Sequence, residues 1–177
     1  MSGRGDPLGD PAPLIRRVYS FVAFHLGPGS DAEDVTSEVF ERAIRYRSSY
    51  DPRRGTPVTW LLGIAKRCIA DALAAPTHLP IGERDEPVGD DQEGDAVRRL
   101  DLVEALARLE GRERELLALR YGAGLSSREI GGIVGLEPNA VDVALHRARR
   151  RLRDELGEAD EQSILGSTRV QRNRPDG

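Results

Sequence analysis

Residues 144–153 read ALHRARRRLR and place five arginines in ten positions, in a chain whose formal net charge is -4. Arginine presents a planar fork of donors that suits phosphate oxygens. The longer run LSSREIGGIVGLEPNAVDVALHRAR gives those arginines a setting. It predicts a helix, a short turn containing Gly135 and a longer second helix, which is a helix-turn-helix pattern. Val141, Leu145, Ala148 and Leu152 recur at helical spacing and form the stripe expected to pack on Ile130, Ile133 and Val134. Asn139, Asp142, His146, Arg149, Arg150 and Arg153 are then left facing outward, with Val143 and Arg147 beside them. In such a helix Asn139, Asp142 and Val143, near its start, can reach base edges, while the later arginines meet phosphates. Cations near a helix C-terminus also complement its dipole, but at ~0.3–1 kcal/mol each that effect does not require five arginines.

A second set of charges has the opposite sign. In SDAEDVTSEVFERAIRYR, Asp34, Glu38 and Glu41 recur on one helical face, opposite an apolar stripe of Ala32, Val35, Val39, Ala43 and Tyr46. A solvated face and a docking face both fit this pattern. Between the acidic helix and the next lies SSYDPRRGT, with aromatic rings and arginines close together. Tyr46, Tyr50 and Trp60 offer stacking faces, and Arg53 and Arg54 offer charge, the combination that single-stranded nucleic acid requires. Tyr46 falls on the core stripe and Trp60 reads as packed, so Tyr50, Arg53 and Arg54 are the stronger candidates. Lys66 and Arg67 lie one to two turns beyond Trp60.

These groups need helices to hold them. A helix is expected from near Pro13, with Leu14, Val18, Phe21, Val22 and Phe24 apolar, ending before Gly27. Ser30 and Glu33 have capping-box spacing for the second helix. Thr56 can cap a third helix with Pro57 at its first position, where no amide is needed. Residues 76–97 hold three prolines, three glycines and seven acidic residues against one arginine. They read as a flexible acidic linker. Four more helices follow at about 98–109, 112–121, 126–134 and 137–156, with a second capping box at Ser126 and Glu129. The expected fold is all-α: two small helical domains, 13–75 and 98–156, joined by linker 76–97, with loose tails at 1–12 and 157–177.

Composition agrees. The 177 residues are 38% hydrophobic and 32% charged, enough for two small cores. Lys66 is the one lysine among 26 basic residues. Cys68 is the one cysteine, which excludes an internal disulfide and fits a reducing cytoplasm. No signal peptide or membrane span is expected. His25, His78 and His146 are scattered without metal-ligand spacing, and Cys68 has no histidine near it in sequence. Neither an enzyme, nor a metal site, nor a cofactor is expected.

The segment DAEDVTSEVFERAIRYRSSYDPRRGTPVTWLLGIAKRCIADAL resembles region 2 of the bacterial extracytoplasmic-function, or group IV, sigma factors of the sigma-70 family. The segment LEGRERELLALRYGAGLSSREIGGIVGLEPNAVDVALHRARRRLRDEL is similar to their region 4. The resemblance implies a sigma factor that binds core RNA polymerase and directs promoter-specific initiation. Region 2 would dock on the clamp coiled coil and open the -10 element. Region 4 would bind the flap and read the -35 element, about two DNA turns or ~70 Å away.

Residue by residue, the resemblance places Asp34, Glu38, Glu41 and Phe40 at the core polymerase. It places Tyr50, Arg53, Arg54, Trp60, Lys66 and Arg67 at the -10 element. Asn139, Asp142, Val143, His146, Arg147, Arg149, Arg150 and Arg153 go to the -35 element. An anti-sigma factor is a further partner that the family allows. The recognition helix departs from the family pattern TVKSRLHRAR: Asp142, Val143 and Ala144 replace a basic segment. Asp142 opposes phosphate and can instead accept from cytosine N4. The alternative is a stand-alone helix-turn-helix regulator that binds duplex DNA without core polymerase, which leaves the first half without a role.

Overall fold

The computed structural model describes residues 6–75 and 93–171, with side chains for 6–75 and 98–157. Most of the expected acidic linker therefore lies outside the described residues. Every regular element among the described residues is helical.

Helix α1 spans Pro11–Leu26 and buries Val18, Phe21 and Val22. It starts slightly ahead of the expected Pro13, because Pro11 is itself suited to a first turn that leaves its amides unpaired. Helix α2 spans Ser30–Arg45 and buries Ala32, Val35, Thr36, Val39 and Ala43. The capping box expected at Ser30 and Glu33 does not form. Gly29, with φ 134°, takes the cap position, so Ser30 is already helical and its hydroxyl caps nothing. Helix α3 spans Pro57–Ala74 and buries Val58, Leu61, Leu62, Ala65, Cys68 and Ile69. Thr56 caps it as expected, accepting from the Thr59 amide at 3.3 Å. Arg42 ties α2 to α3 by donating to Glu38 at 2.5 Å and to Asp71 at 2.9 Å.

Helix α4 spans Glu93–Arg108 and so begins inside the stretch expected to be linker. The one helix expected over 112–121 is instead two pieces, α5 at Gly111–Leu117 and a π-helical turn at Ala118–Gly122. Arg114 on α5 satisfies carbonyls at the end of α4 and just past it, donating to Leu106, Ala107 and Leu109 at 2.8–3.1 Å. Helix α6 spans Ser127–Val134. Its capping box forms as expected: Glu129 Oε2 accepts from the Ser126 amide at 2.9 Å, and the Glu129 amide donates to Ser126 Oγ at 3.3 Å. The Ser126 amide and hydroxyl hold the Glu129 carboxyl below its usual range.

Helix α7 spans Pro138–Gln171, well past the fraying expected at Gly157. A helical glycine costs only ~0.5–1 kcal/mol against alanine, too little to end a long helix by itself. Val141, Leu145 and Ala148 are buried on one side of α7, in the same cluster as Ile130 of α6. That cluster also takes in Val18, Phe21 and Val22 of α1, so a continuous core runs through both halves of the chain.

Two adjacent glycines of α6 have opposite surroundings. A methyl group on Gly131 would fall inside the contact distance of the Leu136 carbonyl oxygen, and one on Gly132 would meet open space. Gly131→Ala should therefore destabilise by ~1–3 kcal/mol. Gly132→Ala should stabilise by ~0.5–1 kcal/mol through its better helix propensity. Denaturant unfolding checks both, and equal effects of the two changes would contradict this packing.

Candidate functional site

Burying Val141, Leu145 and Ala148 fixes the rotation of α7 and hence what it shows to solvent. Asn139, Asp142, Val143, His146, Arg147, Arg149, Arg150 and Arg153 are all exposed. Val143 is 52% exposed although apolar. A shallow groove of about 590 Å³ runs beside it, floored by Leu136, Ala140, Val143 and Ala144. Arg112, Asn139 and Arg147 also line the groove. Arg112 escaped the sequence reading because it lies on α5, far from the arginine cluster in the chain.

Asp142 is not a free acceptor. Its Oδ1 accepts from the Ser127 hydroxyl at 2.5 Å, across the helix-turn-helix. The bond pins the carboxylate at the start of α6 and leaves Oδ2 for another donor. Sequence alone could not reveal this pair, whose members are 15 positions apart.

The loop between α2 and α3 reverses the exposure expected of two tyrosines. Tyr50 is only 9% exposed: its hydroxyl donates to the Gly55 carbonyl at 3.1 Å and its ring lies 5.6 Å from that of Trp60. Tyr46, expected in the core, is 53% exposed. The cause is local. Helix α2 ends at Arg45, and Tyr46 enters a 3-10 turn over Arg47–Ser49, which lifts it off the helical stripe. Arg53 and Arg54 are exposed in the same loop, and Trp60 is partly buried.

Asp34 and Glu41 are exposed on α2. Glu38, between them, is partly covered and paired with Arg42. Phe40 packs against the core with part of its surface open. Arg67 is exposed, but Lys66 is engaged in an ion pair with Glu115 of α5. Cys68 is buried, and burial pushes its thiol above the ordinary value, the opposite of what a nucleophile needs. Among the described residues no cluster of His, Cys, Asp or Glu could hold a metal ion.

These elements define a two-module helical protein whose second module carries a helix-turn-helix. Residues 13–76 match the family described as sigma-70 region 2, and residues 99–152 match sigma-70, region 4. RNA polymerase sigma factor CarQ of Myxococcus xanthus is 33% identical over 150 residues, covering 81% of this chain and 85% of CarQ. ECF RNA polymerase sigma factor SigD of Mycobacterium tuberculosis is 36% identical over 138 residues, covering 72% of this chain and 64% of SigD. Among solved structures, the complex of sigma factor RpoE with the anti-sigma factor NepR from Bartonella quintana aligns with a TM-score of 0.59 at 19% identity. That alignment covers 81% of this chain and 92% of the other. The complex of CnrH with the cytosolic domain of CnrY gives 0.57 at 22% identity, over 84% and 82%. At those identities the likeness is one of fold. The chain belongs to the extracytoplasmic-function sigma factors.

The Ser127–Asp142 bond makes a sharp expectation for base reading. Asp142→Ala should change the preferred base at one -35 position by ~1–3 kcal/mol. Ser127→Ala, which releases the carboxylate, should relax preference at that same base pair. Arg150→Ala should weaken all sequences alike and lower the salt slope by about one unit. Binding selection by the holoenzyme at two salt concentrations measures all three. A Ser127→Ala shift at a different base pair would show that the bond does not orient Asp142.

Proposed function

We propose that the chain is a dissociable promoter-reading subunit of bacterial RNA polymerase whose work is divided among three surfaces. Asp34, Glu38, Glu41 and the open edge of Phe40 meet the clamp of core polymerase. The 46–54 loop and the adjoining face of α3 take the -10 element. The exposed side of α7 and the start of α6 read the -35 element. The observation that carries this reading is the rotation of α7. One buried apolar stripe leaves eight side chains, seven polar or charged and one apolar, together on the solvent side.

At the -10 element Tyr46 is the ring with a free face, so it supports the stacking of an unpaired base. Tyr50 and Trp60 shape the loop from behind. Arg53, Arg54 and Arg67 supply charge to the backbone, joined by Lys66 once its carboxylate partner is removed. The chain contributes binding and orientation, with no chemistry of its own, and works in the cytoplasm where core polymerase acts. No helix among the described residues is long and apolar enough to cross a membrane. An anti-sigma protein is a further partner in this reading, as NepR is for RpoE of Bartonella quintana. A stand-alone regulator would give residues 13–76 no role, whereas their match to sigma-70 region 2 supports one.

Run-off transcription with purified core polymerase tests the reading. The chain should direct initiation from a selected promoter, and Asp34→Lys with Glu38→Lys should abolish it by weakening the holoenzyme. Tyr46→Ala should reduce open complexes on duplex DNA by ~1–3 kcal/mol, with recovery on a pre-melted bubble. Duplex binding by the chain alone with no transcription on added core polymerase would favour the stand-alone regulator.

A further inference from the structure

The turn that precedes α1 reaches the loop between α2 and α3. The sequence predicts a loose tail over 1–12, yet residues 6–10 are anchored. Pro7 is buried, and Leu8 packs against the hydrophobic core with part of its surface open. Asp6 locks the turn. Its Oδ1 accepts from the Leu8 amide at 3.1 Å, and its backbone carbonyl accepts from the Gly9 amide at 3.1 Å. With Oδ1 used in this way, Oδ2 lies 3.5 Å from Nη1 of Arg47.

Arg47 opens the 3-10 turn Arg47–Ser49 and directly follows Tyr46, whose ring is exposed. It stands in the same loop as Arg53 and Arg54, and like them it is exposed. The two side chains of the pair are 58% and 48% open to water, so their attraction contributes little to stability. The contact joins one nitrogen to one oxygen at long range. It falls short of the two parallel bonds that arginine makes with a well-placed carboxylate or phosphate. A phosphate can therefore take the same guanidinium with better geometry. Packing of Pro7 and Leu8 fixes the position of the carboxylate, so Arg47 is the member of the pair that can swing away.

We infer that Arg47 is a further contact to the -10 backbone and that Asp6 is its exchangeable counter-charge, held at the loop by the anchored turn. A strand that enters the loop replaces carboxylate by phosphate on one guanidinium. A strand that brings no phosphate within reach of Arg47 meets a negative charge instead. The inference rests on the proposed -10 role of the 46–54 loop.

Binding of holoenzyme to a fluorescent single strand tests it, the strand carrying the non-template -10 sequence recovered by promoter selection. Arg47→Ala should weaken binding roughly three- to tenfold and lower the salt slope by about 0.7, the value of one single-strand phosphate. Asp6→Asn keeps an acceptor for the Leu8 amide and removes the charge. It should tighten binding roughly two- to fivefold at low salt, with the gain fading by ~0.5 M. Opposite signs in the two variants are the signature of exchange. A pair that only braces the loop would weaken binding in both, and that result overturns the inference. So does a full Asp6→Asn gain in the Arg47→Ala background, which would mean general repulsion of the strand. Unchanged affinity and slope in Arg47→Ala, with binding lost in Tyr46→Ala, sinks the role of Arg47 and spares the loop. Unchanged binding in both moves the -10 site elsewhere and takes the inference with it.

Discussion

The DNA-reading half depends on how closely α6 approaches the turn that leads into α7. Gly131 has no side chain, so the Leu136 carbonyl can sit against its backbone, and the Gly135 and Leu136 amides both donate to the Gly131 carbonyl at 2.9 and 3.1 Å. Gly135 supplies the left-handed residue, φ 72°, that makes the turn possible. These three positions fix where α7 starts. Once it starts there, burial of Val141, Leu145 and Ala148 fixes its rotation, and the rotation presents Asn139 through Arg153 as one surface. The geometry of that surface is thus set by a main-chain contact more than by any arginine.

Charge is separated in the same economical way. The chain is acidic overall, yet α7 presents Arg147, Arg149, Arg150 and Arg153 to solvent while α2 presents Asp34 and Glu41. A basic face draws the phosphate backbone and raises association rates, and an acidic face elsewhere keeps that attraction confined to one side. Glu38 belongs to both structure and surface. Its pairing with Arg42, which also holds Asp71, keeps α2 and α3 together beneath the acidic face.

Periodicity made much of this legible in advance. The apolar stripes of α1, α2, α3 and α7, the Thr56 and Ser126 caps and the outward set on α7 follow from side-chain spacing and capping chemistry. What sequence could not show were choices between equally good local options. Gly29 displaced Ser30 from a cap that its spacing allowed. The early end of α2 put Tyr46 outside and left Tyr50 to fill the loop against Trp60. The pairs Ser127–Asp142 and Lys66–Glu115 join positions whose meeting depends on tertiary packing. No periodicity encodes such meetings.

Site-specific photo-crosslinking tests the division of surfaces most directly. Glu41 and His146 are each replaced by a photo-reactive residue, and holoenzyme is irradiated on a promoter. A crosslink from position 41 to the largest polymerase subunit, with one from position 146 to the -35 duplex, is the predicted result. A crosslink from position 41 to DNA, or from position 146 to polymerase alone, would contradict the account.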